Sequence, residues 1–320
     1  MTTIDDIRAA AARIADHVHR TPVMTSATLD AELGAAVFVK CENLQKVGAF
    51  KARGACNAVL SLSDEAAARG VVTHSSGNHA AALAYAARSR GVKAYVVMPE
   101  TAPQVKVDAV RSYGAELRFC PAAARQATCD AWQQETGATL VHPFEDPMVI
   151  AGQGTAALEL LEQVPDLDVV ITPVGGGGLC SGAAVVVRSL LPGARMLAAE
   201  PDAVDDAARS MATGVRQPRV ENAQTLGDGL MTGLGEPNFA LLREHRVDVV
   251  TCSEQAMVEA ARFFLQRMKL VVEPSGATVL ASIRKIADEV RGKRVGMIVT
   301  GGNTDLRWLC GPEVCQRVTS

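Results

Sequence analysis

A lysine in a setting poor in charge is the first residue of this sequence that could do chemistry. Lys51 stands in "VGAFKARGACNAV", next to a bulky Phe50 and among alanines and glycines, with no acidic residue adjacent. Burial and the dipole at the start of a helix both disfavour an ammonium group, which makes a lysine amine nucleophilic near neutral pH. The alternative is an exposed lysine on an amphipathic helix, which is where lysines usually lie.

A run of four glycines is the strongest local signal. In "DVVITPVGGGGLCSGAAVVV" a strand is predicted to end at Val174 and a helix to begin near Leu179, and between them lie Gly175, Gly176, Gly177 and Gly178. Consecutive glycines can turn backbone amides toward one point at a helix start, which suits a phosphate. The loop lacks the lysine of a nucleoside triphosphatase loop and the strand-end acid of a dinucleotide-binding fold. A tight turn, the alternative, needs fewer glycines, so we interpret the loop as a phosphate site.

A phosphate site and an amine nucleophile are together what pyridoxal phosphate requires. Two polar segments could complete such a site. Thr300 ends the last predicted strand. The other segment lies between a predicted strand and a helix and comprises Ser75, Ser76, Gly77, Asn78 and His79. Its hydroxyls and free amides could bind a carboxylate or a ring hydroxyl, although taken alone it is equally a helix N-cap.

The elements that must position these residues alternate along the chain. Patterns of helical spacing, many of them ending in glycine, lie between short strands rich in valine. The predicted strands are "AAVFVK", "GVVTHS", "KAYVVMP", "AELRFC", "ATLVHP", "DVVITPV", "RMLAAEP", "VDVVTCS" and "RVGMIVTGG". This alternation predicts an α/β fold of parallel sheets covered by helices on both faces. Residues 70–143 could close on themselves, and residues 202–237 are expected to cross the surface or cover a cleft.

Composition and charge exclude several classes of function. The 320 residues carry a formal net charge of -3, which gives no basic field for nucleic acid. No stretch of about 18 uncharged apolar residues predicts a membrane span, and the N-terminus lacks the pattern of a signal peptide. The eight cysteines form no CxxC pair, so we expect buried thiols, a reducing compartment and a cytoplasmic protein.

Nearly the whole chain resembles the fold-type II pyridoxal phosphate enzymes, in particular their serine racemase and serine/threonine dehydratase branch. The segments that carry the resemblance include "RTPVMTS", "VKCENLQKVGAFKARGACNAV", "VVTHSSGNHAAALAYAA", "VHPFEDPMVIAGQGT", "PVGGGGLCSG", "RMKLVVEPSGA" and "VTGGNTDL". The resemblance implies a tryptophan synthase beta-like fold of two α/β domains with the cofactor in the cleft between them. Residues 1–69 and 144–320 would form the large domain, and residues 70–143 the small one.

The resemblance also implies roles around the cofactor ring. Lys51 would hold pyridoxal phosphate as a Schiff base, with Phe50 packed beside the ring. Asn78 would meet the ring hydroxyl, Gly175 to Leu179 would hold the phosphate, and Thr300 would face the pyridine nitrogen. A hydroxyl at this last place leaves the nitrogen largely unprotonated, which in this family favours elimination or racemisation over transamination.

The reaction that the resemblance implies is dehydration of a β-hydroxy amino acid, such as L-serine or L-threonine, to a 2-oxo acid and ammonia. Lys51 would take the Cα proton as general base, and Ser75 and His79 would help bind the substrate carboxylate. Racemisation needs an acid on the opposite ring face, and Ser76 matches the serine that the family places there. Ser76 therefore adds serine racemase activity to the expectation.

A divalent-cation site is implied as well. The segment "AAEPDAVDDAARS" resembles the metal site of the racemase branch, with Glu200, the carbonyl of Val204 and Asp206 as ligands. Oxygen ligands suit Mg²⁺ or Ca²⁺, and Mn²⁺ is a further candidate. The alternative is a solvated acidic loop.

Several alternatives stay open at this point. 3-Hydroxyaspartate also has a β-hydroxyl, and its second carboxylate would need a cationic partner. Arg125 lies near the place of a substrate-facing arginine in some family members, and Ala49 replaces a more frequent serine, as in hydroxyaspartate-acting relatives. A 3-hydroxyaspartate dehydratase (ammonia-lyase) or an aspartate/serine racemase is therefore the alternative enzyme, and a nucleotide-binding module is the alternative without catalysis. For the enzyme, the family implies a homodimer.

Overall fold

Ten strands in two sheets form the framework of the described part of the chain. The computed structural model describes residues 1–75, 77–102 and 104–309. The strands are β1 (Val23–Met24), β2 (Ala36–Cys41), β3 (Val71–His74), β4 (Ala94–Pro99), β5 (Glu116–Cys120), β6 (Thr139–Leu140), β7 (Val169–Pro173), β8 (Arg195–Pro201), β9 (Asp248–Cys252) and β10 (Arg294–Val299). The larger sheet has the order β1-β2-β10-β7-β8-β9, and the smaller has the order β5-β4-β3-β6. All pairs of strands are parallel except β1 with β2, so the predicted parallel sheets are confirmed.

Helices join the strands and cover the sheets. They are α1 (Ile4–Ile14), α2 (Ala27–Leu33), α3 (Lys51–Leu60), α4 (Asp64–Arg69), α5 (Asn78–Arg90), α6 (Gln104–Ser112), α7 (Arg125–Thr136), α8 (Pro147–Gln163), α9 (Gly178–Leu190), α10 (Asp206–Thr213), α11 (Glu236–Glu244), α12 (Glu254–Phe263), α13 (Pro274–Lys285) and α14 (Ala287–Val290). Their boundaries follow local capping chemistry. The Asp146 carboxylate accepts from the amide of Met148 at the start of α8, and Gly91 adopts a left-handed conformation at the end of α5.

The larger sheet is buried on both faces because successive strand residues point to opposite sides. In β7, Val170 packs with the apolar cluster built on α8 and α9, whereas Ile171 packs with the cluster built on α12 and α13. The same alternation places Ala198 of β8 in the first cluster and Leu197 in the second. This is the arrangement that the continuous apolar strands predicted, and the α/β fold class is confirmed.

The smaller sheet is built entirely from strands between residues 71 and 140. This placement supports a small domain at residues 70–143. The two domain boundaries themselves stay a prediction.

Strand β1 and helix α10 are among the elements that were not predicted. Strand β1 has two residues, too few to produce an alternating pattern. Helix α10 lies in the segment that was expected to be irregular, and its first turn is capped by a strand residue: both carboxylate oxygens of Glu200 accept from the amides of Ala207 and Ala208. A cap supplied by a side chain of β8 leaves no signal in the helix sequence.

The described residues can be examined for membrane-spanning helices and for disulfide bonds. None of the helices among them is long and apolar enough to cross a membrane. The six described cysteines are buried and free of disulfides, as expected. Cys310 and Cys315 lie outside the described residues.

Candidate active site

A cavity of about 320 Å³ lies where three parallel strands end. Strand β3 leads into Ser75, β7 into the glycine loop and β10 into Thr300. Parallel sheets gather such loops at one edge, which is where open α/β folds bind ligands. The cavity is lined by every predicted cofactor and substrate residue that the structure describes: Phe50, Lys51, Ser75, Asn78, His79, Arg125, Gly175, Gly176, Gly177, Gly178, Leu179 and Thr300. Ser76 lies outside the described residues.

A second cavity of about 730 Å³ adjoins the first and shares Gly77, Asn78, Lys106, Asp228 and Glu273 with it. Neither Lys51 nor the glycine loop lines this second cavity. The smaller cavity is therefore the candidate active site.

Lys51 is the first residue of α3, and its amine reaches the cavity. Its Nζ donates a hydrogen bond of 2.9 Å to the carbonyl oxygen of Pro143 and lies 5.0 Å from the centre of the Phe50 ring. Burial lowers the pKa of the amine to about 8, because the ammonium form loses its hydration. At pH 7 roughly a tenth of the amine is then neutral, against less than about a thousandth for a solvated lysine.

Helix α3 is anchored on its other side by Arg53. The guanidinium is fully buried and donates to both oxygens of Glu42 and both oxygens of Glu159, over 2.7 to 2.8 Å. The buried amine of Lys40 donates to Glu159 as well, over 2.6 Å, so two cations balance two carboxylates. Helix residues two apart lie roughly 200° apart around the axis. Arg53 therefore points into this network while Lys51 points into the cavity.

The glycine loop is packed so closely that side chains do not fit on its protein side. A Cβ on Gly176 would lie 2.3 Å from the ring of Phe144, and one on Gly175 would lie 2.9 Å from the Cα of Leu230. Gly177 has a φ of 96°, a conformation that favours glycine. The first amides of a helix have no intrahelical partners, and such amides at a helix N-terminus attract phosphate.

Asn238 of α11 fixes the orientation of the glycine loop. Its Nδ2 donates to the carbonyl oxygen of Gly176 over 2.7 Å and to that of Phe144 over 2.8 Å. In a trans peptide the amide points away from the carbonyl. The amide of Gly177 therefore points away from Asn238.

Asn78, at the start of α5, is held by two residues that are distant in sequence, Glu273 and Asn303. Its Nδ2 donates to Oε1 of Glu273 over 2.9 Å, and its Oδ1 accepts from Nδ2 of Asn303 over 3.0 Å. Burial raises the pKa of Glu273 to about 8, and the charge of Asp228 acts in the same direction. Much of Glu273 is therefore protonated at neutral pH, so it can donate as well as accept a hydrogen bond.

His79 is buried, and its Nε2 lies 3.1 Å from the carbonyl oxygen of Val141. A carbonyl only accepts, so Nε2 carries the proton in this contact. Burial and the nearby charge of Lys51 lower the pKa of His79 to about 3, so the ring is neutral and Nδ1 is an acceptor. An acceptor does not attract a carboxylate, which argues against the predicted role of His79 while leaving it a prediction.

Thr300 and Arg125 occupy other parts of the cavity wall. Thr300 is buried, and its carbonyl oxygen accepts from the amide of Phe50 over 3.0 Å, which ties the residue before Lys51 to the end of β10. Arg125 begins α7, is partly exposed, and donates from Nε to the carbonyl oxygen of Ala122 over 3.1 Å.

The predicted metal ligands lie elsewhere, around the start of α10. Both carboxylates are buried: Glu200 is capped by two amides as described, and Oδ2 of Asp206 accepts from the amide of Leu234 over 2.8 Å. Burial raises the pKa of both groups, that of Glu200 to about 8. Across the described part of the chain, no three His, Cys, Asp or Glu side chains are grouped as a metal site. A cation here would need the Val204 carbonyl and water in its shell.

Comparison with known proteins decides the family. The model of the family described as pyridoxal-phosphate dependent enzyme matches residues 14–301. The chain belongs to this family. It is 46% identical over 309 residues to a serine racemase of Dictyostelium discoideum, with 95% of each chain covered. It is 47% identical over 306 residues to a beta-hydroxyaspartate dehydratase of Paracoccus denitrificans, covering 95% of this chain and 97% of the relative. The crystal structure of a threonine deaminase from T.th. has a TM-score of 0.91 and 45% identity, covering 95% of this chain and 99% of that one.

The cavity residues of this pyridoxal-phosphate dependent enzyme fit its cofactor. A phosphate needs several donors that converge, and the glycine loop at the start of α9 provides backbone amides without side chains in the way. The aldehyde needs an amine that is partly neutral, and Lys51 provides one. Both groups line one cavity.

Some residues of the site were missed by sequence reasoning. Asn238 and Phe144 shape the glycine loop, and Lys106 of α6 pairs with Asp228 across the cavity. Glu273 lies in the segment "RMKLVVEPSGA" that carried the family resemblance, but no role was assigned to it. None of these stands in a local pattern that sets it apart from ordinary polar or aromatic residues.

Proposed function

We propose that this enzyme removes water from a β-hydroxy amino acid, such as L-serine or L-threonine, and so releases a 2-oxo acid and ammonia. One observation carries the proposal: the partly neutral amine of Lys51, the glycine loop and the turn from Ser75 into Asn78 line one cavity. Relatives are named for serine, β-hydroxyaspartate and threonine. These three amino acids share a hydroxyl on Cβ.

The cofactor is proposed to lie along the cavity with its phosphate at the glycine loop. In this proposal Lys51 holds the aldehyde carbon, Asn78 meets the ring hydroxyl, Thr300 meets the pyridine nitrogen and Phe50 packs beside the ring. When bound, the cofactor supplies an electron sink for the negative charge that develops at the substrate Cα.

Lys51 is proposed as the general base. Once the substrate amine has replaced Lys51 at the aldehyde carbon, the neutral Lys51 amine accepts the proton of the substrate Cα. The C–O bond at Cβ breaks and the hydroxyl leaves as water, so the proton that it gains balances the proton taken from Cα. One water molecule is then consumed when the remaining enamine hydrolyses to the 2-oxo acid and ammonia. The carbonyl of Pro143 accepts from Nζ over 2.9 Å, which gives the free amine a fixed position. A pKa of about 8 favours an amine that can both take and return a proton near neutral pH.

The substrate carboxylate is proposed to bind where α5 begins. Ser75 lies on the cavity wall, and its Oγ accepts from the amide of Gly77 over 3.3 Å, which leaves the hydroxyl proton free to donate. His79 was predicted to help bind the same carboxylate, and this role stays a prediction. Ser76 is proposed as the acid on the opposite face of the ring, which would add serine racemisation; Ser76→Ala should then lower racemisation more than dehydration.

A second candidate, dehydration of 3-hydroxyaspartate, is favoured by Arg125. This arginine lines the cavity, so a cation is available for a second carboxylate. The identity of 47% to a beta-hydroxyaspartate dehydratase points the same way.

We also propose that Glu200, the carbonyl of Val204 and Asp206 bind a divalent cation, Mg²⁺ or Ca²⁺, with Mn²⁺ as a further candidate. Two buried carboxylates whose pKa values are raised would gain from such a partner. A homodimer and a cytoplasmic location stay predictions, and light scattering of the purified protein tests the first.

The test of the function is release of keto acid by the purified holoenzyme. Separate assays use L-serine, D-serine, L-threonine and each isomer of 3-hydroxyaspartate, and chiral chromatography follows the remaining substrate. Pyruvate or 2-oxobutyrate as product supports the main proposal, and oxaloacetate formed much faster from one isomer supports the second. Absence of turnover with all of them would overturn both.

A further inference from the structure

The active-site cavity has more positive charge than the cofactor and a monocarboxylic substrate require. Its ionisable residues are Lys51, His74, His79, Lys106, Arg125, Arg219, Asp228 and Glu273. Lys106 is paired with Asp228, and the pKa values of the two histidines are lowered mainly by burial, so both rings are neutral. The carboxyl of Glu273 is largely protonated. The charges that remain are those of Lys51, Arg125 and Arg219.

The proposed ligands account for one of these three cations and leave the other two without an anionic partner among those ligands. Lys51 is proposed to bond to the cofactor, so it is assigned to the cofactor and not to a substrate carboxylate. The phosphate is proposed to bind the amides at the start of α9, and the α-carboxylate those at the start of α5, so neither requires an arginine. Arg125 and Arg219 are thus left without an anion among the groups that serine or threonine would bring.

The two arginines reach the cavity from different parts of the chain. Arg125 stands at the start of α7, beside the smaller sheet, and lines the cavity together with His74. Arg219 belongs to the segment after α10. It packs against Gly233, where an added Cβ would lie 2.9 Å from the Cβ of Arg219, beside the cavity residue Thr232.

Arg219 is also weakly engaged by protein groups. The acidic partner that the structure records for it is Glu221, 3.9 Å away, and both side chains are more than half exposed. Such exposed pairs contribute little. Its guanidinium keeps donors for a ligand that would match a carboxylate in a bidentate way.

We propose that Arg219 and Arg125 together bind the second carboxylate of a dicarboxylic β-hydroxy amino acid. The inference rests on the proposed function and names its substrate class, 3-hydroxyaspartate in preference to serine or threonine. Arg219 is then a specificity-determining residue that the sequence did not reveal.

The test compares Arg219→Gln with the wild-type holoenzyme and with Arg111→Gln. Arg111 is a matched control because it is similarly exposed, has an acidic partner at the same distance of 3.9 Å, and lies outside the cavity lining. Titration calorimetry measures succinate, a four-carbon dicarboxylate, against butyrate, which has the same length and one carboxylate. Steady-state kinetics measures the 3-hydroxyaspartate isomers against L-serine.

The expected result is a loss of succinate affinity of about 10- to 100-fold in Arg219→Gln, the usual effect of removing hydrogen bonds to a charged group. Butyrate affinity should stay the same, KM should rise for 3-hydroxyaspartate with little change in kcat, and kcat/KM for serine should stay within about twofold. Arg125→Gln should show the same changes in binding and kinetics as Arg219→Gln. Arg111→Gln should show the binding and kinetics of the wild-type enzyme.

Two results would overturn the inference while the proposed function stands. One is an equal effect of Arg219→Gln on succinate and butyrate, which would show only a general electrostatic field. The other is unchanged binding of succinate in a variant that keeps the wild-type cofactor absorbance. If the wild-type enzyme turns over none of the amino acids, the proposed function itself fails.

Discussion

The Nζ of Lys51 and the carbonyl oxygen of Pro143 are joined by a hydrogen bond of 2.9 Å, although 92 positions separate them along the chain. Lys51 begins α3, and Pro143 precedes α8. The amine is therefore held at the cavity by the segment that follows the smaller sheet. A lysine in this position is buried enough for its pKa to fall and still accessible to a ligand.

The first prediction concerns the Lys51 amine. Lys51→Ala should lower kcat by about 10³-fold or more, because base catalysis and covalent attachment are both lost. The visible absorbance of the bound cofactor should disappear as well. Lys46→Ala is the control, since Lys46 lies in the same segment but outside the cavity lining, and it should keep both properties. Retained turnover in Lys51→Ala would remove Lys51 from the mechanism.

The second prediction concerns pH. Only the neutral amine of Lys51 can attack an aldehyde, so the rate of cofactor uptake by the cofactor-free protein should rise with pH and level off above about 8. The histidines near the amine, His79 and His142, have lowered pKa values and stay neutral through this range. The pKa of Glu273 is also about 8, so Glu273→Gln serves as control. The inflection should survive in that variant; its loss, or a rise that continues to pH 10, would contradict the assignment.

The third prediction concerns the glycine loop. In Gly176→Ala the new methyl group would lie 2.3 Å from the Phe144 ring, so the loop must shift, and cofactor affinity should fall at least about tenfold, as overpacking costs roughly 1–3 kcal/mol. Gly193→Ala is the matched control, because a Cβ there meets no atom within 4 Å. Equilibrium dialysis against the cofactor measures both. Equal affinity in the two variants would speak against a phosphate site at this loop.

The fourth prediction concerns the metal site. Mg²⁺ or Ca²⁺ should raise the melting temperature of the wild-type protein, because a ligand that binds only the folded state stabilises it. The rise should be lost in Glu200→Gln. The rise should persist in Asp205→Asn. Asp205 lies between the proposed ligands in sequence, but its carboxylate pairs with Arg209 over 2.8 Å. Chelator and metal titrations in a thermal shift assay decide, and an identical response of all three proteins would exclude the site.

The fifth prediction concerns the buried network behind α3. Arg53→Met leaves Glu42 and Glu159 without their main cation and should reduce the free energy of unfolding by about 3–5 kcal/mol. The control is Arg284→Met, which removes a more exposed pair with Glu32 and should cost at most about 1 kcal/mol. Chemical denaturation of both variants gives the comparison. Similar losses would mean that the network contributes no more than a surface pair.

The sequence by itself determined the elements and the chemical groups of the site. Valine-rich strands alternating with helical patterns predict parallel sheets, and the four glycines after β7 mark a loop that only glycine can form, because both signals are local. The lysine, the glycine loop and Thr300 were recognised in the same way, and the family that they suggested is confirmed.

The tertiary structure alone decided what surrounds those groups. Which nitrogen of His79 carries a proton depends on Val141, the protonation of Glu273 depends on its burial near Asp228, and Arg219 reaches the cavity through its packing on Gly233. None of these partners is adjacent in sequence to the residue it acts on. Their effects arise from desolvation and from contacts between separate segments of the chain, which a local pattern does not encode.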